Sequence, residues 1–424
     1  MLDIRLIRKD KAGIEEKLKR KDPSISLDRI FHLDEMIREG KTKVEALKAE
    51  RNEASKSIGE MKRQGKDISE VTKTMGDLAS LIQEYDEALT MQETEFNDLM
   101  SRLPNIPYDN IKVSMDPKEN VEVKSWGKKR EFDFPFKNHL ELNEALQLFD
   151  FKRGAKISGA GWPVYKQWGA RLEWALLQYM ISIHIKNGFS QWIPPIVVRP
   201  EILYASGQLP KFANQQFRVH DDDFNLFLIP TAEVSLNGLM SDEVVPEEEL
   251  PLKFIAYTPC FRREAGAAGE KERGLIRTHQ FNKVEMFCFT KPDDAERVFE
   301  EMMKSAEEIL QGLELHYRNM LLVTGDMSFA GAKTIDIEVW LPGQNRYYEV
   351  SSVTNCTDYQ SRRSNIRFKG KEGKPEFLYT LNGSGLATSR LMVSLLENNQ
   401  NSDGSVTVPK VLRPYLGGIE KLTP

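Results

Sequence analysis

Between Ile30 and Leu99 the apolar positions recur every three and four residues. Ile30, Leu33, Ile37, Val44, Leu47, Arg51, Ala54, Ile58 and Met61 fall on one a/d heptad series, with Gly40 at its single skipped position. Val71, Met75, Leu78, Ile82, Tyr85, Leu89, Gln92, Phe96 and Leu99 fall on a second. Heptad seams of this kind bury one stripe of a helix against a partner helix. KRQGKD lies between them, with Gly65 for the turn and Asp67 with Glu70 as a capping pair. Two series joined by a short turn predict an antiparallel coiled-coil hairpin over about residues 27–100. At 1.5 Å per residue each helix would run about 50 Å. A hairpin that covers only its seam must project from something larger.

The heptads stop at Leu99, and RLPNIPYDN follows with two prolines and two asparagines. This composition breaks helices and sets a boundary between an N-terminal domain, 1–108, and a second domain, 109–424. The pattern then changes. QWGARLEWALLQYMISIHIKNG has helical spacing and leads into a proline-containing strand, FSQWIPPIVVRPE. LFLIPTAEVSLNGL comes next, then the strands LPLKFIAYTPC and HQFNKVEMFCF, and the helical stretch DDAERVFEEMMKSAEEILQGLEL. TIDIEVWLPGQNRYYEVSS reads as a hairpin turning at PGQN, and EFLYTLN as a strand running through GSG into the helix LATSRLMVSLLENN. Hairpins with helices laid on them predict an α+β domain built on an antiparallel sheet. There is no GxGxxG, no GxxxxGK[ST] and no internal repeat.

Composition adds little until charge is resolved along the chain. The 424 residues, 40% hydrophobic and 29% charged, are those of a soluble globular protein with a large core. No apolar run approaches the length that spans a bilayer, and MLDIRLIRKDK lacks the apolar block of a secretory signal. Cys260, Cys288 and Cys356 show no CxxC spacing, which fits a reducing cytoplasm and argues against a cysteine-rich zinc site. The net charge of −5 hides a split. Met1–Lys66 carries 18 Lys and Arg against 13 Asp and Glu, a balance of +5; Asp67–Met100 carries one Lys against nine acids, a balance of −8. Heptads most often serve as spacers or dimerisation helices, but a basic helix backed by an acidic one offers a face suited to a phosphate backbone.

The chemistry gathers around one long connection. FRREAGAAGEKERGLIRT separates two strands that an ordinary hairpin would join with two to five residues. Arg262 directly follows the first strand, and arginine suits bidentate contact with phosphate. Arg390 closes NGSGLATSR, where small residues leave room for a ligand. Glu349, in YYEVSS, is a candidate for Mg²⁺ on a polyphosphate. Each residue alone has a bland explanation as a surface ion pair or solvated strand residue; the set points to a polyphosphate lying over an antiparallel sheet.

Three segments, the helix into FSQWIPPIVV, FRRE…HQFNKVE and GSGLATSR, resemble motifs 1, 2 and 3 of class II aminoacyl-tRNA synthetases. With the N-terminal hairpin, RGAKISGAGWPVYKQWGARLEWAL, PTAEVSLNG and YYEVSSVTNCTDYQSRR, the whole chain resembles the bacterial seryl-tRNA synthetases. The resemblance implies an ATP-dependent, AMP-forming ligase with tRNA(Ser) as partner, and tRNA(Sec) where the organism has one. It implies catalytic roles for Arg262, Arg390 and Glu349. Arg262 would hold the α-phosphate, Glu264 would lie near the adenine, Phe281 would stack on it, and Arg390 would hold the γ-phosphate. Arg263, Thr278, Val350 and Ser351 complete the ATP site, and Glu349 with Ser352 would serve Mg²⁺. Thr231 and Glu233 would take the serine α-amino group, and Ala232 and Asn382 would also belong to the serine site. Glu285 and Ser384 would read the hydroxyl. The long loop would close over ATP and meet the tRNA acceptor end, and the hairpin would grip the variable arm. Motif 1 implies a homodimer. TAE stands where the zinc-dependent branch uses a metal, and no Cys/His cluster is available, so no zinc is expected.

Serine activation suits such a site. The substrate carboxylate is already a nucleophile, so the protein must align it with the α-phosphorus and stabilise spreading negative charge. No histidine or cysteine constellation is needed. Two other readings stay open at this level. A relative that loads a carrier protein would not need the hairpin. A catalytically dead paralog acting as a binding module should have lost Arg262, Glu285, Glu349 or Arg390.

Overall fold

A computed structural model describes residues 1–264, 274–370 and 373–424. Its contacts divide into two units, Met1–Leu103 and Pro104–Pro424. The division falls a few residues before the boundary read from sequence. Asn105 is the physical reason: it is buried in the second unit, where its Nδ2 donates to the backbone oxygens of Ala330 and Cys356 at 2.9 and 2.8 Å.

In the first unit, α1 (Asp28–Arg63) and α2 (Ser69–Ser101) run antiparallel. Ile30, Leu33, Ile37, Val44 and Leu47 are buried on α1, and Leu78, Ile82 and Leu89 on α2. The seam is the one the heptads predict, and the skipped position has a cause. A Cβ on Gly40 would lie 2.8 Å from Leu89 Cδ2, so glycine lets Leu89 cross the seam. Gly65 takes φ +67° in the turn, where L side chains are strained. The N-cap of α2 is Ile68, which makes no side-chain cap; Asp67 just before it accepts from the backbone N and hydroxyl of Ser69 at 2.9 and 2.6 Å. The expected partner Glu70 is an exposed first-turn acid. Arg29–Glu95, Lys41–Glu93 and Lys48–Asp86 bridge the helices. Part of the basic surface is thus paired within the hairpin, while Lys43, Lys56, Lys62 and Arg63 are exposed.

The second unit is built on an eight-stranded sheet. Its strands are β1 (Val121–Trp126), β2 (Ser190–Trp192), β3 (Leu252–Phe261), β4 (Gln280–Thr290), β5 (Tyr317–Leu321), β6 (Lys333–Leu341), β7 (Arg346–Asn355) and β8 (Tyr379–Ala387). They lie in the order β1-β5-β6-β7-β8-β4-β3-β2. Every pair is antiparallel except the last, where β2 runs parallel to β3 at the edge. The sheet is therefore mixed at one edge: β2 follows helix α3 (Trp168–Lys186) rather than a hairpin turn, which frees it from antiparallel pairing.

Helices α3, α5 (Ala295–Gly312) and α7 (Thr388–Asn398) bury one face of the sheet in a single core. Val284, Met286 and Cys288 of β4, Val350 and Val353 of β7, and Leu381 of β8 point into it. The short helices α4 (Ala232–Gly238) and α6 (Tyr359–Ser364) pack beside the other face. GSG does not form the strand–helix junction expected of it. Gly383 and Gly385 lie within β8, and α7 begins only at Thr388. The reason is close packing: a Cβ on Gly385 would lie 2.2 Å from His184 Nε2, and one on Gly383 3.0 Å from Val353.

Candidate active site

Alternation along β4 sends Phe281, Lys283 and Glu285 to the face opposite the helices, while Val284 and Met286 enter the core. On β7 alternation alone would not bring Glu349 and Ser352 to one side, because they are three residues apart. A bulge does so. Ser351 pairs with Ile337 but Glu349 pairs with Glu338, leaving Val350 as the extra residue. The Ser351 hydroxyl donates to Ser384 O at 2.5 Å and locks β7 to β8 there.

These strands floor a cavity of about 510 Å³. Thr231, Glu233, Lys283, Glu285, Asn382 and Ser384, taken as the first part of the site, and Arg262, Glu264, Glu349 and Ser352, taken with the adjoining cavity as the second, all line it. An adjoining cavity of about 70 Å³ is lined by Thr278, Phe281, Val350 and Arg390. The two share Arg262, Glu264, Arg277, Lys283, Glu349 and Ser384, so they form one continuous cleft.

In the first part, Lys283 and Glu285 form a buried ion pair. Thr231, at the N-terminus of α4, donates to Glu285 Oε2 at 3.1 Å, and Lys283 Nζ donates to the Thr231 hydroxyl at 2.8 Å. Glu233 Oε1 accepts from Gln360 Nε2 at 2.6 Å and Asn382 Nδ2 at 3.2 Å. Burial, with the charge of Glu285 adding to it, pushes the Glu233 carboxyl up to about 7; Lys283 acts in the opposite direction.

In the second part, the Arg262 guanidinium lies 5.3 Å from the Phe281 ring centroid and Nε donates to Pro230 O at 3.4 Å. Arg277 donates to Glu264 at 2.7 Å. Arg390, on α7, donates to Glu349 through both its backbone oxygen and its carboxylate. Behind Glu349, the Asp336 carboxyl is held well above the usual range, first by burial and then by the charge of Glu349.

The cleft gathers most of the residues singled out from sequence. Three do not line it: Ala232 is buried in a core beneath α4, the Ser351 hydroxyl is spent on β8, and Arg263 is exposed with its backbone N on Gln215 O. The part of the long loop expected to close over ATP, residues 265–273, lies outside the described residues. Lys283, Arg277 and Gln360 escaped sequence reasoning. Lys283 carried a signal, since it lies two residues before Glu285 and so on the same strand face.

Residues 1–107 match the seryl-tRNA synthetase N-terminal domain, and residues 217–399 match the class II core domain of the G, H, P, S and T synthetases. The serine–tRNA ligase of Chlamydia pneumoniae is 52% identical over 424 residues, 100% of this chain and 99% of its own. The chain belongs to the seryl-tRNA synthetase family. The Chlamydia abortus serine–tRNA ligase is likewise 52% identical over 100% of both chains. The crystal structure of Pyrococcus horikoshii seryl-tRNA synthetase complexed with ATP superposes with a TM-score of 0.92 at 34% identity, covering 100% of each chain. That of the Naegleria fowleri enzyme with AMP gives 0.87 at 28% identity, over 100% of this chain and 99% of its own. As a serine–tRNA ligase of class II, the chain activates L-serine with ATP to seryl-adenylate and pyrophosphate, then transfers serine to tRNA(Ser). The carrier-loading and inactive readings are thereby set aside.

Proposed function

We propose that the cleft divides the reaction between its two parts, serine in the first and ATP in the second. The observation that carries this reading is their continuity through Arg262 and Glu349, which would let a serine carboxylate and an α-phosphate share one enclosure. In the first part, Glu233 and Thr231 take the α-amino group, and Glu285 with Ser384 reads the hydroxyl. A pocket that hydrogen-bonds a hydroxyl rejects alanine, because its buried polar groups would go unpaired. In the second part, Phe281 stacks on adenine, Arg262 holds the α-phosphate and Arg390 the γ-phosphate. These cations are fixed by strand ends and helix starts before charge develops. The donor set also fits Mg²⁺, a hard cation: Glu349 and Ser352 place a partly exposed carboxylate and a hydroxyl on one cleft wall. There the ion would neutralise phosphate charge. Zinc has no part in this reading.

The exposed cations of α1 track the phosphates of the tRNA variable arm. tRNA(Sec) is a second acceptor where present. The enzyme works in the cytoplasm as a homodimer; Trp174, Ile185, Trp192 and Ile193 on α3 and the strand after it are exposed apolar groups that a two-fold partner would cover. Among the described residues no helix is long and apolar enough to cross a membrane. ATP–pyrophosphate exchange with each amino acid, on wild type and on variants from each part, tests the division. Serine-pocket variants should raise the KM for serine, and Arg390→Ala the KM for ATP. The reverse pattern would sink it.

A further inference from the structure

A single buried carboxyl joins three distant segments of the chain. Glu173 sits on α3, only 4% exposed. Its Oε1 accepts from the hydroxyl of Thr388, the first residue of α7, and from Nδ2 of Asn282 on β4 at 2.8 Å. Asn282 is fixed at its other end, where Oδ1 accepts from the Tyr257 hydroxyl of β3 at 3.3 Å. Both partners neighbour the nucleotide part of the cleft. Asn282 follows Phe281, and Thr388 lies two residues before Arg390.

We propose that Glu173 is a positioning residue for ATP: by clamping Thr388 and Asn282 together from the core side, it sets the register of Arg390 against Phe281. The inference rests on the reading that those two residues hold the nucleotide. Its geometry is one-sided. Alternation on β4 turns Asn282 away from the cleft as it turns Phe281 toward it, so Glu173 reaches the ATP site without touching ligand. α3 and α7 share the core with β4, and α7 is buried along most of its length. The two hydrogen bonds of Glu173 add a directional constraint at its first residue, of the kind that a phosphate contact needs. Glu173 Oε2 is buried and has no hydrogen-bond partner among the described residues. Burial pushes the carboxyl up to about 7, so the unpartnered oxygen is tolerated as part of a group that is readily neutral.

The test measures ATP·Mg²⁺ binding calorimetrically without serine, and serine binding separately. Glu173→Ala removes both buried hydrogen bonds of the clamp and should weaken ATP binding by roughly tenfold or more, while leaving serine binding within about twofold. Glu173→Gln keeps an acceptor at Oε1 and should retain ATP affinity within about threefold. Thr388→Val removes the hydroxyl with little change of shape, and with it both the contact to Glu173 and the one to Asn282 O at 3.0 Å; it should show an ATP defect at least as large as that of Glu173→Ala, and the double variant should be no worse than the poorer single one. Arg390→Ala is the control for the underlying reading. If Arg390→Ala binds ATP poorly while Glu173→Ala and Thr388→Val bind normally, the positioning role is overturned and the nucleotide reading stands. If Arg390→Ala binds ATP as wild type does, the reading itself fails. Equal losses for ATP and serine with a lowered melting temperature in both Glu173→Ala and Thr388→Val would make Glu173 a general packing group and overturn the proposal.

Discussion

Arg390 and Glu349 hold one another across the cleft: the guanidinium Nη1 donates to the Glu349 backbone oxygen at 2.9 Å and to its carboxylate at 3.3 Å. If both groups serve the triphosphate end of ATP as proposed, binding would exchange this pair for phosphate and Mg²⁺. Glu349→Gln should raise the Mg²⁺ concentration for half-maximal pyrophosphate exchange by roughly tenfold, since a charged ligand is replaced by a neutral one. The KM for serine should stay near wild type. A Mg²⁺ titration at saturating ATP that overlays wild type would remove Glu349 from this role.

Beside the hydroxyl reading proposed for it, Glu285 has a structural task. It balances the buried Lys283. Glu285→Ala should lower serine activation by about ten- to a hundredfold and narrow the preference for serine over alanine. It should also cost about 3–5 kcal/mol of stability, because one member of a buried pair is left without its partner. Glu285→Gln, which keeps an acceptor for Thr231, should lose less of both. Exchange assays with serine and alanine, alongside melting curves, separate the effects. A wild-type serine-to-alanine ratio in Glu285→Ala would show that the hydroxyl is read elsewhere.

Glu233 predicts a pH dependence. Its carboxyl, pushed from 4.5 up to about 7 by burial and Glu285, is neutral in the unliganded protein below that pH. A serine ammonium bound there as proposed would favour the charged form, so serine binding should weaken as pH falls through about 7, approaching roughly tenfold per pH unit. The stability sign is opposite. A raised folded value favours the protonated folded state, so this group's contribution is present below 4.5 and lost as pH rises to about 7. Glu233→Gln should flatten both profiles. An unchanged slope of serine affinity in that variant would assign the titration to another group.

The two units allow a cut. Deleting about residues 30–96 should abolish serylation of tRNA while serine-dependent pyrophosphate exchange remains, because every cleft residue lies in the second unit. Filter assays for seryl-tRNA and exchange assays on the same preparation decide it. Parallel loss of both activities would contradict the separation.

Legibility of these features in the sequence followed the range of the interactions. The seam of the hairpin was readable, since it repeats a local period and even Gly40 marked its own exception, whereas the capping pair expected of Asp67 and Glu70 did not form. The strands carrying Arg262, Glu285 and Glu349 were readable from alternation and turns. The parallel edge strand was not, because pairing direction depends on where α3 delivers the chain. The bulge at Val350 was hidden too: an extra residue is defined only against β6. Lys283 and Gln360 became site residues through partners 52 and 127 positions away, Thr231 and Glu233. The glycines of β8 looked like ligand space and proved to be space for His184 and Val353.

The hairpin is not uniform along its length. Fully buried seam residues end at Leu47 on α1 and begin at Leu78 on α2. Between them Ala54, Ile58, Met61, Val71 and Met75 are only half-covered. Helix stability in water comes mainly from such tertiary cover, so amide protons near the tip should exchange with deuterium well before those near the base. The arm then behaves as a stiff rod ending in a compliant pad. The pad can give up conformational freedom against a curved RNA surface, and protection of residues 50–76 on adding tRNA would register that ordering directly.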